Sequence, residues 1–263
     1  MALEIIEKYP SAKIHETPLL FVHGAWHGAW CWDEYFLDYF ASQGFDVYAV
    51  SLRGHGRSDI KGSLRFARIS DYVEDVATAA ASLPKKPVVI GHSMGGLVTQ
   101  KYLETHEAPA AVLLASVPPR GIIMTFLRIM TGHFGVFLKA ILTLSLYPVV
   151  ATPELVREHF FSPDMSEETL RIYSSQMQDE SFLAFLDMLA FSLPKPDSIS
   201  TPVMVLGAGK DTIFHVKEIE STALAYNTKP HIFPDMAHDM MLETGWLNAA
   251  KTIADWLTTN CNL

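Results

Sequence analysis

Short apolar runs alternate with helical patterns along most of the chain. Six runs, rich in aliphatic and β-branched side chains and followed by glycine, proline or polar residues, are typical of buried strands; they lie at residues 18–22, 45–50, 88–90, 110–115, 203–206 and 229–233. Between two of them, Val73, Val76 and Ala80 recur at helical spacing. Strands that alternate with helices predict an α/β protein with a mostly parallel, doubly wound sheet.

This alternation stops after residue 118 and resumes near residue 199. Residues 121–150 carry only Arg128 and Lys139 as charged side chains and are otherwise strongly apolar, which predicts two short helices. Further helical patterns follow at residues 152–161, 166–177 and 181–191. We therefore expect a helical cap at 119–198, inserted between a first core part at 1–118 and a second at 199–263. Glycines and charges leave no window of about twenty apolar residues, so the sequence predicts no membrane span.

The sequence PVVIGHSMGG at residues 87–96 joins a predicted strand to a predicted helix through a G-x-S-x-G motif. In that context the motif is typical of a sharp turn that lifts a serine hydroxyl clear of the backbone. Gly91 and Gly95 leave room where side chains would collide with the turn. The sequence thus predicts Ser93 as a catalytic nucleophile.

Two partners for Ser93 follow predicted strands later in the chain. Asp211 lies in the loop after residues 203–206, and His238 lies in the loop after residues 229–233. Because parallel strands end at the same edge of a sheet, we expect these side chains to meet there. His238 would accept the serine proton, and Asp211, favoured over the nearby Asp235 and Asp239, would orient the imidazole.

The first long strand ends in HGAW at residues 23–26, repeated at 27–30. The backbone N–H groups of Ala25 and Met94 are expected to form an oxyanion hole. The spacing of His23 and His27 would suit a metal only on one face of a helix, and a turn after a strand is the wrong platform. No metal and no cofactor are therefore expected.

Composition indicates which class of ligand the protein binds and in which cellular compartment it occurs. Acidic residues outnumber basic ones by 29 to 20, so a nucleic acid is an unfavourable partner, and a small molecule is expected instead. The two cysteines, Cys31 and Cys261, form no disulfide framework, which favours a reducing cytoplasm. Glu4 and Glu7 fall where a secretory signal would be basic and then apolar, which favours the same compartment.

Taken together, the motifs resemble a capped serine α/β-hydrolase over the whole chain. The segments that carry the resemblance are HGAW at 23–26, RGHGRSD at 53–59, GHSMGG at 91–96, GKDTIF at 209–214 and MAHDMM at 236–241. The resemblance implies the α/β-hydrolase fold and a Ser93–His238–Asp211 triad. It also implies cleavage of a carboxylic ester through an acyl-serine, as in esterases and lipases.

The resemblance leaves other functions open. The doubled HGAW is similar to plant methylesterases and hydroxynitrile lyases, although the lysine that usually follows the lyase histidine is Asp239 here. Carbon–carbon bond hydrolases share the SMGG segment, and some members of the fold only bind a ligand. Turnover of a simple ester would separate an enzyme from a receptor.

The apolar cap favours a hydrophobic acyl group. Trp26, Phe126 and Phe137 are the candidates for the substrate pocket, and each buried methylene would add about 0.8 kcal/mol of binding free energy. A closed lid and contact with a membrane surface both stay open as interpretations of the same helices, as does the oligomeric state.

Overall fold

The computed structural model describes residues 2–260, so Cys261, one of the two cysteines, lies outside the described residues. Seven strands form one sheet in the order β1-β3-β2-β4-β5-β6-β7. The strands are β1 (Ile5–Lys8), β2 (Leu19–Val22), β3 (Val47–Val50), β4 (Val88–His92), β5 (Ala111–Leu114), β6 (Val203–Ala208) and β7 (Pro230–Phe233). Only β1 runs antiparallel to its neighbour, so the predicted mostly parallel α/β sheet is confirmed.

Helices cover both faces of this sheet, as the near-continuous apolar strands require. Along β2, Leu19 and Phe21 belong to one apolar cluster, whereas Leu20 and Val22 belong to the cluster on the opposite face. The helices that pack on the sheet are α1 (Trp30–Asp33), α2 (Phe36–Ser42), α3 (Ile69–Ser82), α4 (Met94–Leu103), α10 (Val216–Ala225) and α11 (Trp246–Asn260). Helices α1 and α2 are separate because the Tyr35 backbone between them, with φ −143° and ψ −46°, is not helical.

The inserted helices lie between β5 and β6 in the chain. They are α5 (Ile123–Gly132), α6 (Phe134–Thr143), α7 (Pro153–Phe160), α8 (Glu167–Gln176) and α9 (Phe182–Leu186), followed by a π-helical turn at Asp187–Phe191. Thr152, Ser166 and Ser181 cap the N-termini of α7, α8 and α9 with their hydroxyl oxygens. These caps explain where each of the three helices begins.

The inserted helices differ in how deeply they pack. Val156 and Phe160 of α7, with Leu170 and Tyr173 of α8, belong to the same apolar cluster as the sheet. By contrast, α5 buries only Thr125 and α6 buries only Ala140. The pair α5 and α6 is therefore the outer part of the insertion.

Within residues 2–260, no single helix has both the length and the apolar character that a membrane crossing needs. The pair α5 and α6 meets that criterion by length and composition only, with a bend of 114° between the two helices.

Candidate active site

Ser93 occupies a strained turn between β4 and α4. Its backbone has φ 53° and ψ −118°, a conformation that costs a residue with a Cβ about 1–3 kcal/mol. Two backbone hydrogen bonds hold the turn: the Ser93 N–H donates to the Leu114 carbonyl, and the Ser93 carbonyl accepts from the Val117 N–H, both at 3.1 Å. The neighbouring strand β5 thus stabilises the turn and raises the hydroxyl at the carboxyl edge of the sheet.

The two glycines of the motif allow this turn because neighbouring atoms lie where a side chain would begin. A Cβ atom at Gly91 would collide with the backbone of Gly95 and with the Thr99 hydroxyl, and one at Gly95 would collide with the carbonyls of Val22 and His23. The G-x-S-x-G spacing is thus a packing requirement between α4 and the ends of β2 and β4.

Ser93, His238 and Asp211 come together as the order of the strands predicts. His238 Nε2 lies 2.9 Å from Ser93 Oγ, and His238 Nδ1 lies 2.8 Å from Asp211 Oδ2. The other oxygen of Asp211 accepts from the N–H groups of Ile213 and Phe214. Both oxygens of the carboxylate are therefore fixed, and with them the orientation of the imidazole.

The other two aspartates near His238 point elsewhere. Asp235 is an exposed side chain on the surface, 3.7 Å from Lys210. Asp239 is fully buried but faces the opposite way, with Oδ2 2.9 Å from His27 Nε2. Asp211 is thus the one of the three whose carboxylate is hydrogen-bonded to His238.

Ala25 and Met94, the two candidates for the oxyanion hole, both line the cavity at Ser93. Among residues 2–260, neither backbone N–H donates a hydrogen bond in a turn, in a loop or to a side chain. Met94 is the first residue of α4, where the helix dipole favours negative charge. Both amides are thus available to an oxygen placed beside Ser93.

The cavity that contains Ser93 and His238 is narrow and apolar. Of the three pocket candidates, Trp26 and Phe126 line this cavity, and Phe137 lines an adjoining cavity that shares Trp26 and Phe126 with the first. The sequence-based prediction did not include the other lining residues, which are Val117, Ile122, Thr125, Ile129, Leu146, Phe160, Phe185, Met188, Ile213 and Phe214. Val117, Ile213 and Phe214 follow β5 and β6 closely, so the rule that sites gather at strand ends could have identified them.

Apart from His238, no residue that lines this cavity within the described chain carries an ionisable side chain. In such surroundings a serine hydroxyl, an imidazole and two free N–H groups face an apolar space that has no fixed charge to bind a polar substrate. The arrangement can activate the Ser93 hydroxyl and stabilise an oxyanion next to a hydrophobic group.

A second polar cluster lies beneath the site. His27 Nδ1 donates to the Ala25 carbonyl and its Nε2 donates to Asp239, so both nitrogens carry protons. Burial alone would lower the pKa of His27, but the charge of Asp239 and the hydrogen bonds to Asp239 and the Ala25 carbonyl together outweigh burial and raise that pKa above its ordinary value. Burial likewise would raise the pKa of Asp239, but the charge of His27 and its hydrogen bond hold it below the ordinary range.

The remaining histidines of the motifs are neutral or structural. His23 Nε2 accepts from the Leu52 N–H, and burial holds its pKa well below the ordinary value. His92 donates from Nε2 to the His238 carbonyl; burial, and then the charge of His238, lower its pKa to about 3. His55 contacts Glu180, whose other oxygen accepts from the Tyr72 hydroxyl.

His92, His238 and Asp239 also offer ligand atoms that lie within 4.8 Å of one another. Both nitrogens of His238 are already hydrogen-bonded, to Ser93 and to Asp211. A metal ion held by this group would have to displace one of those contacts, so the donor set fits a hydrogen-bonded site better than a metal site.

The HGAW loop is tied to the inserted segment through Trp26. Trp26 adopts a left-handed backbone with φ 64°, its indole N–H donates to the Leu146 carbonyl, and its own carbonyl accepts from the Gln178 N–H. The side chain of Gln178 in turn bonds Gly54 and Gly56. One wall of the cavity is therefore fixed to two core loops.

Comparison with curated proteins gives methylesterases and non-heme chloroperoxidases among the relatives of this chain. The pFDCC methylesterase MES16 of Arabidopsis thaliana is 29% identical over 207 residues, which cover 74% of this chain and 77% of that protein. Methylesterase 18 of the same plant is 25% identical over 85% of this chain and 90% of that protein. A non-heme chloroperoxidase of Streptomyces lividans is 38% identical over 106 residues, or 39% of this chain and 37% of that protein.

Solved structures show the same fold at lower identity. The esterase EaEST from Exiguobacterium antarcticum aligns with a TM-score of 0.75 at 16% identity, over 98% of this chain and 96% of its own. A thermophilic esterase from Thermogutta terrifontis aligns with a TM-score of 0.71 at 19% identity, over 97% and 92%. Residues 19–250 also match the profile described as "Alpha/beta hydrolase family". That match spans both parts of the sheet and the insertion, so this chain belongs to the alpha/beta hydrolase family, with similarity to plant methylesterases.

Proposed function

We propose that this protein is a serine hydrolase that cleaves a carboxylic ester with a hydrophobic acyl group through an acyl-serine intermediate. The observation that carries the proposal is the pair of hydrogen bonds from Ser93 to His238 and from His238 to Asp211 beside an apolar cavity. The methylesterase relatives support ester hydrolysis as the general reaction.

In the first half of the reaction Ser93 Oγ attacks the ester carbonyl while its proton moves to His238 Nε2. Asp211 accepts a hydrogen bond from the Nδ1–H group of His238, so it stabilises the imidazolium and keeps Nε2 free to accept a proton. The carbonyl oxygen, now an oxyanion, takes hydrogen bonds from the Ala25 and Met94 N–H groups. His238 then returns the proton to the alcohol oxygen, the bond from carbon to that oxygen breaks, and the acyl group stays on Ser93.

In the second half a water molecule takes the place of the alcohol. His238 accepts one of its protons, the hydroxyl attacks the acyl carbon, and the carboxylic acid leaves as Ser93 regains its proton. Loss of one of the two hydrogen bonds to the oxyanion would lower kcat about 100- to 1,000-fold. The backbone positions of Ala25 and Met94 are therefore critical for the rate.

The acyl group binds in the cavity that Trp26 and Phe126 line, and longer chains continue into the adjoining cavity at Phe137. Residues 119–198 act as the cap over this space, because Phe126, Phe137 and Phe185 belong to the inserted segment. No lysine or arginine lines the cavity of the described residues, and Asp239 faces His27, so nothing here offers the cation expected for cyanide release.

The test combines p-nitrophenyl esters with a serine-directed phosphonate. We expect turnover by the wild type and a single adduct on Ser93, located by peptide mass mapping, and we expect Ser93→Ala to abolish both. Ser116→Ala is the matched control, since Ser116 is a buried serine just after the next strand, hydrogen-bonded to Gln100. Retained turnover in Ser93→Ala, or no turnover and no adduct in the wild type, would contradict the proposal.

The acyl site is tested by Phe137→Trp. The larger ring should fill the adjoining cavity, so kcat/KM should fall at least about tenfold for long acyl chains and stay unchanged for acetate. Esters from about two to about sixteen carbons give the profile, with each methylene adding about 0.8 kcal/mol until the wall is reached. An equal loss at every chain length would place the acyl group elsewhere.

A further inference from the structure

The outer helices of the insertion expose an unusual number of large apolar side chains. Of sixteen such exposed residues in the described chain, nine lie between residues 123 and 147. We call the outward part of α5 and α6 the apolar cap face, defined by Ile123, Met124, Leu127, Phe134, Leu138 and Leu142. Exposed apolar surface concentrated in this way marks a place where something else binds.

The charges around this face are as informative as its apolar residues. The chain has a net charge of −9, yet residues 121–151 contain no aspartate or glutamate and only Arg128 and Lys139 as basic residues. Arg128 is turned to the core, where it bonds Glu218 and the Ile213 carbonyl. The apolar cap face is thus almost free of charge on an otherwise acidic protein, and it meets an uncharged or zwitterionic surface without repulsion.

The threonine hydroxyls on these helices already have hydrogen-bond partners within the protein. The hydroxyls of Thr131 and Thr143 donate to the carbonyls of Leu127 and Lys139 within their own helices. Protein interfaces carry about one hydrogen bond per 100–200 Å². A face with so few free donors therefore suits hydrocarbon better than a second copy of this chain.

The same helices form the wall of the acyl cavity on their other side. Phe126 and Ile129 of α5 and Phe137 of α6 line the two cavities, while Leu127, Phe134 and Leu138 face outward. The exposed face and the cavity are thus separated by the thickness of one helix. The bend of 114° between α5 and α6 lets both lie along a surface, as interfacial helices do.

We propose that the apolar cap face docks on the surface of a zwitterionic phospholipid bilayer, so that esters dissolved in the lipid lie next to the acyl cavity. Docking is a binding event that needs no turnover, and it goes beyond the proposed hydrolysis. Binding should resist added salt, since apolar burial rather than charge drives it.

The experiment is co-sedimentation of the protein with phosphatidylcholine vesicles. Phe134→Ser combined with Leu142→Ser should lower the bound fraction at least about tenfold, because both side chains are exposed and line neither cavity. The matched control combines Phe66→Ser with Leu224→Ser, an exposed phenylalanine and leucine outside residues 119–198. The control should bind as the wild type does.

Two further measurements keep the result interpretable. Turnover of p-nitrophenyl acetate should stay within about twofold in both double variants, which shows that each one is folded. Ser93→Ala should bind vesicles fully, so that failure of the proposed chemistry and failure of docking are distinguishable. Absence of vesicle binding by the wild type, equal binding by the cap variant, or a wild-type dimer that the cap variant converts to monomer in ultracentrifugation would overturn the proposal.

Discussion

Two buried histidine–aspartate pairs lie side by side in this protein, and two consecutive residues, His238 and Asp239, each contribute one member. His238 contacts Asp211 at 2.8 Å, whereas the next residue, Asp239, contacts His27 at 2.9 Å on the other side of the loop. In distance and burial the two pairs are nearly the same. What differs is the partner of the second imidazole nitrogen.

In the first pair, His238 Nε2 faces the Ser93 hydroxyl in a cavity, so the hydroxyl proton can move to this nitrogen during a reaction. In the second pair, His27 Nδ1 donates to the Ala25 carbonyl, so both nitrogens are used as donors to fixed groups. The His27 pair ties the His238 loop to the loop that carries Ala25. A histidine–aspartate pair is therefore poised for chemistry only when one ring nitrogen faces a movable proton.

The largest effect is expected from Asp211→Asn. The amide oxygen should keep the two N–H bonds from Ile213 and Phe214, which leaves the NH₂ group facing His238 Nδ1. That contact forces the histidine proton onto Nε2, where it can no longer accept from Ser93. We expect kcat to fall about 10,000-fold with little change in the free energy of unfolding.

Asp235→Asn is the control for that variant, because the Asp235 carboxylate is exposed and lies 3.7 Å from Lys210. Ester hydrolysis and urea unfolding of both variants give the measurement. If Asp235→Asn lost activity and Asp211→Asn kept it, the acid would be misassigned.

The second effect is expected in stability rather than in turnover. Asp239→Asn replaces a buried charged hydrogen bond to His27 by a neutral one, which should lower the free energy of unfolding by about 2 kcal/mol. Because the N–H groups of Ala25 and Met94 are retained, kcat should fall by less than about tenfold. Equal losses of kcat in Asp239→Asn and Asp211→Asn would remove the distinction between the two pairs.

The smallest effect is expected in how the difference in free energy of unfolding between the wild type and Asp239→Asn depends on pH. The raised pKa of His27 means that its contribution is complete below its ordinary value of 6.5 and is lost as pH rises through the folded value. The lowered pKa of Asp239 means that its contribution is present above 3.8 and is lost as pH falls through the folded value. The difference between wild type and Asp239→Asn should thus be largest between about pH 4 and 6.5 and shrink above that range. Urea unfolding of both proteins from about pH 4 to about pH 9 measures it, and a difference that grew above about pH 6.5 would contradict the charged pair.

Much of the site followed from strand order alone. Ser93, Asp211 and His238 each follow a strand of one parallel sheet, so their meeting at its carboxyl edge required only the sequence and a topological rule. The second pair could not be predicted in this way. Asp239 turns away from His238 because its backbone N–H bonds the Phe160 carbonyl, a contact 79 residues distant that depends on how α7 packs.

The inserted segment shows a different limit. The apolar run at residues 121–150 predicts two short helices, but helical spacing alone does not distinguish the pocket candidate Phe126 from its neighbour Leu127. In the structure Phe126 lines the cavity and Leu127 is exposed. Periodicity identifies an apolar helix, but the direction in which each side chain faces depends on neighbours that are remote in sequence.

The attachment of Trp26 to Leu146 and Gln178 bears on how freely such insertions can be exchanged between proteins of this architecture. Exchange treats the core and the insertion as independent modules, yet the loop that carries the Ala25 N–H is here held by backbone groups of the insertion. A chimera that kept this core and received another protein's insertion would lose the acceptor for the indole N–H. The core and the insertion are therefore not independent at Trp26. An exchange of insertions that preserves function would have to transfer the HGAW loop together with the inserted segment that it contacts.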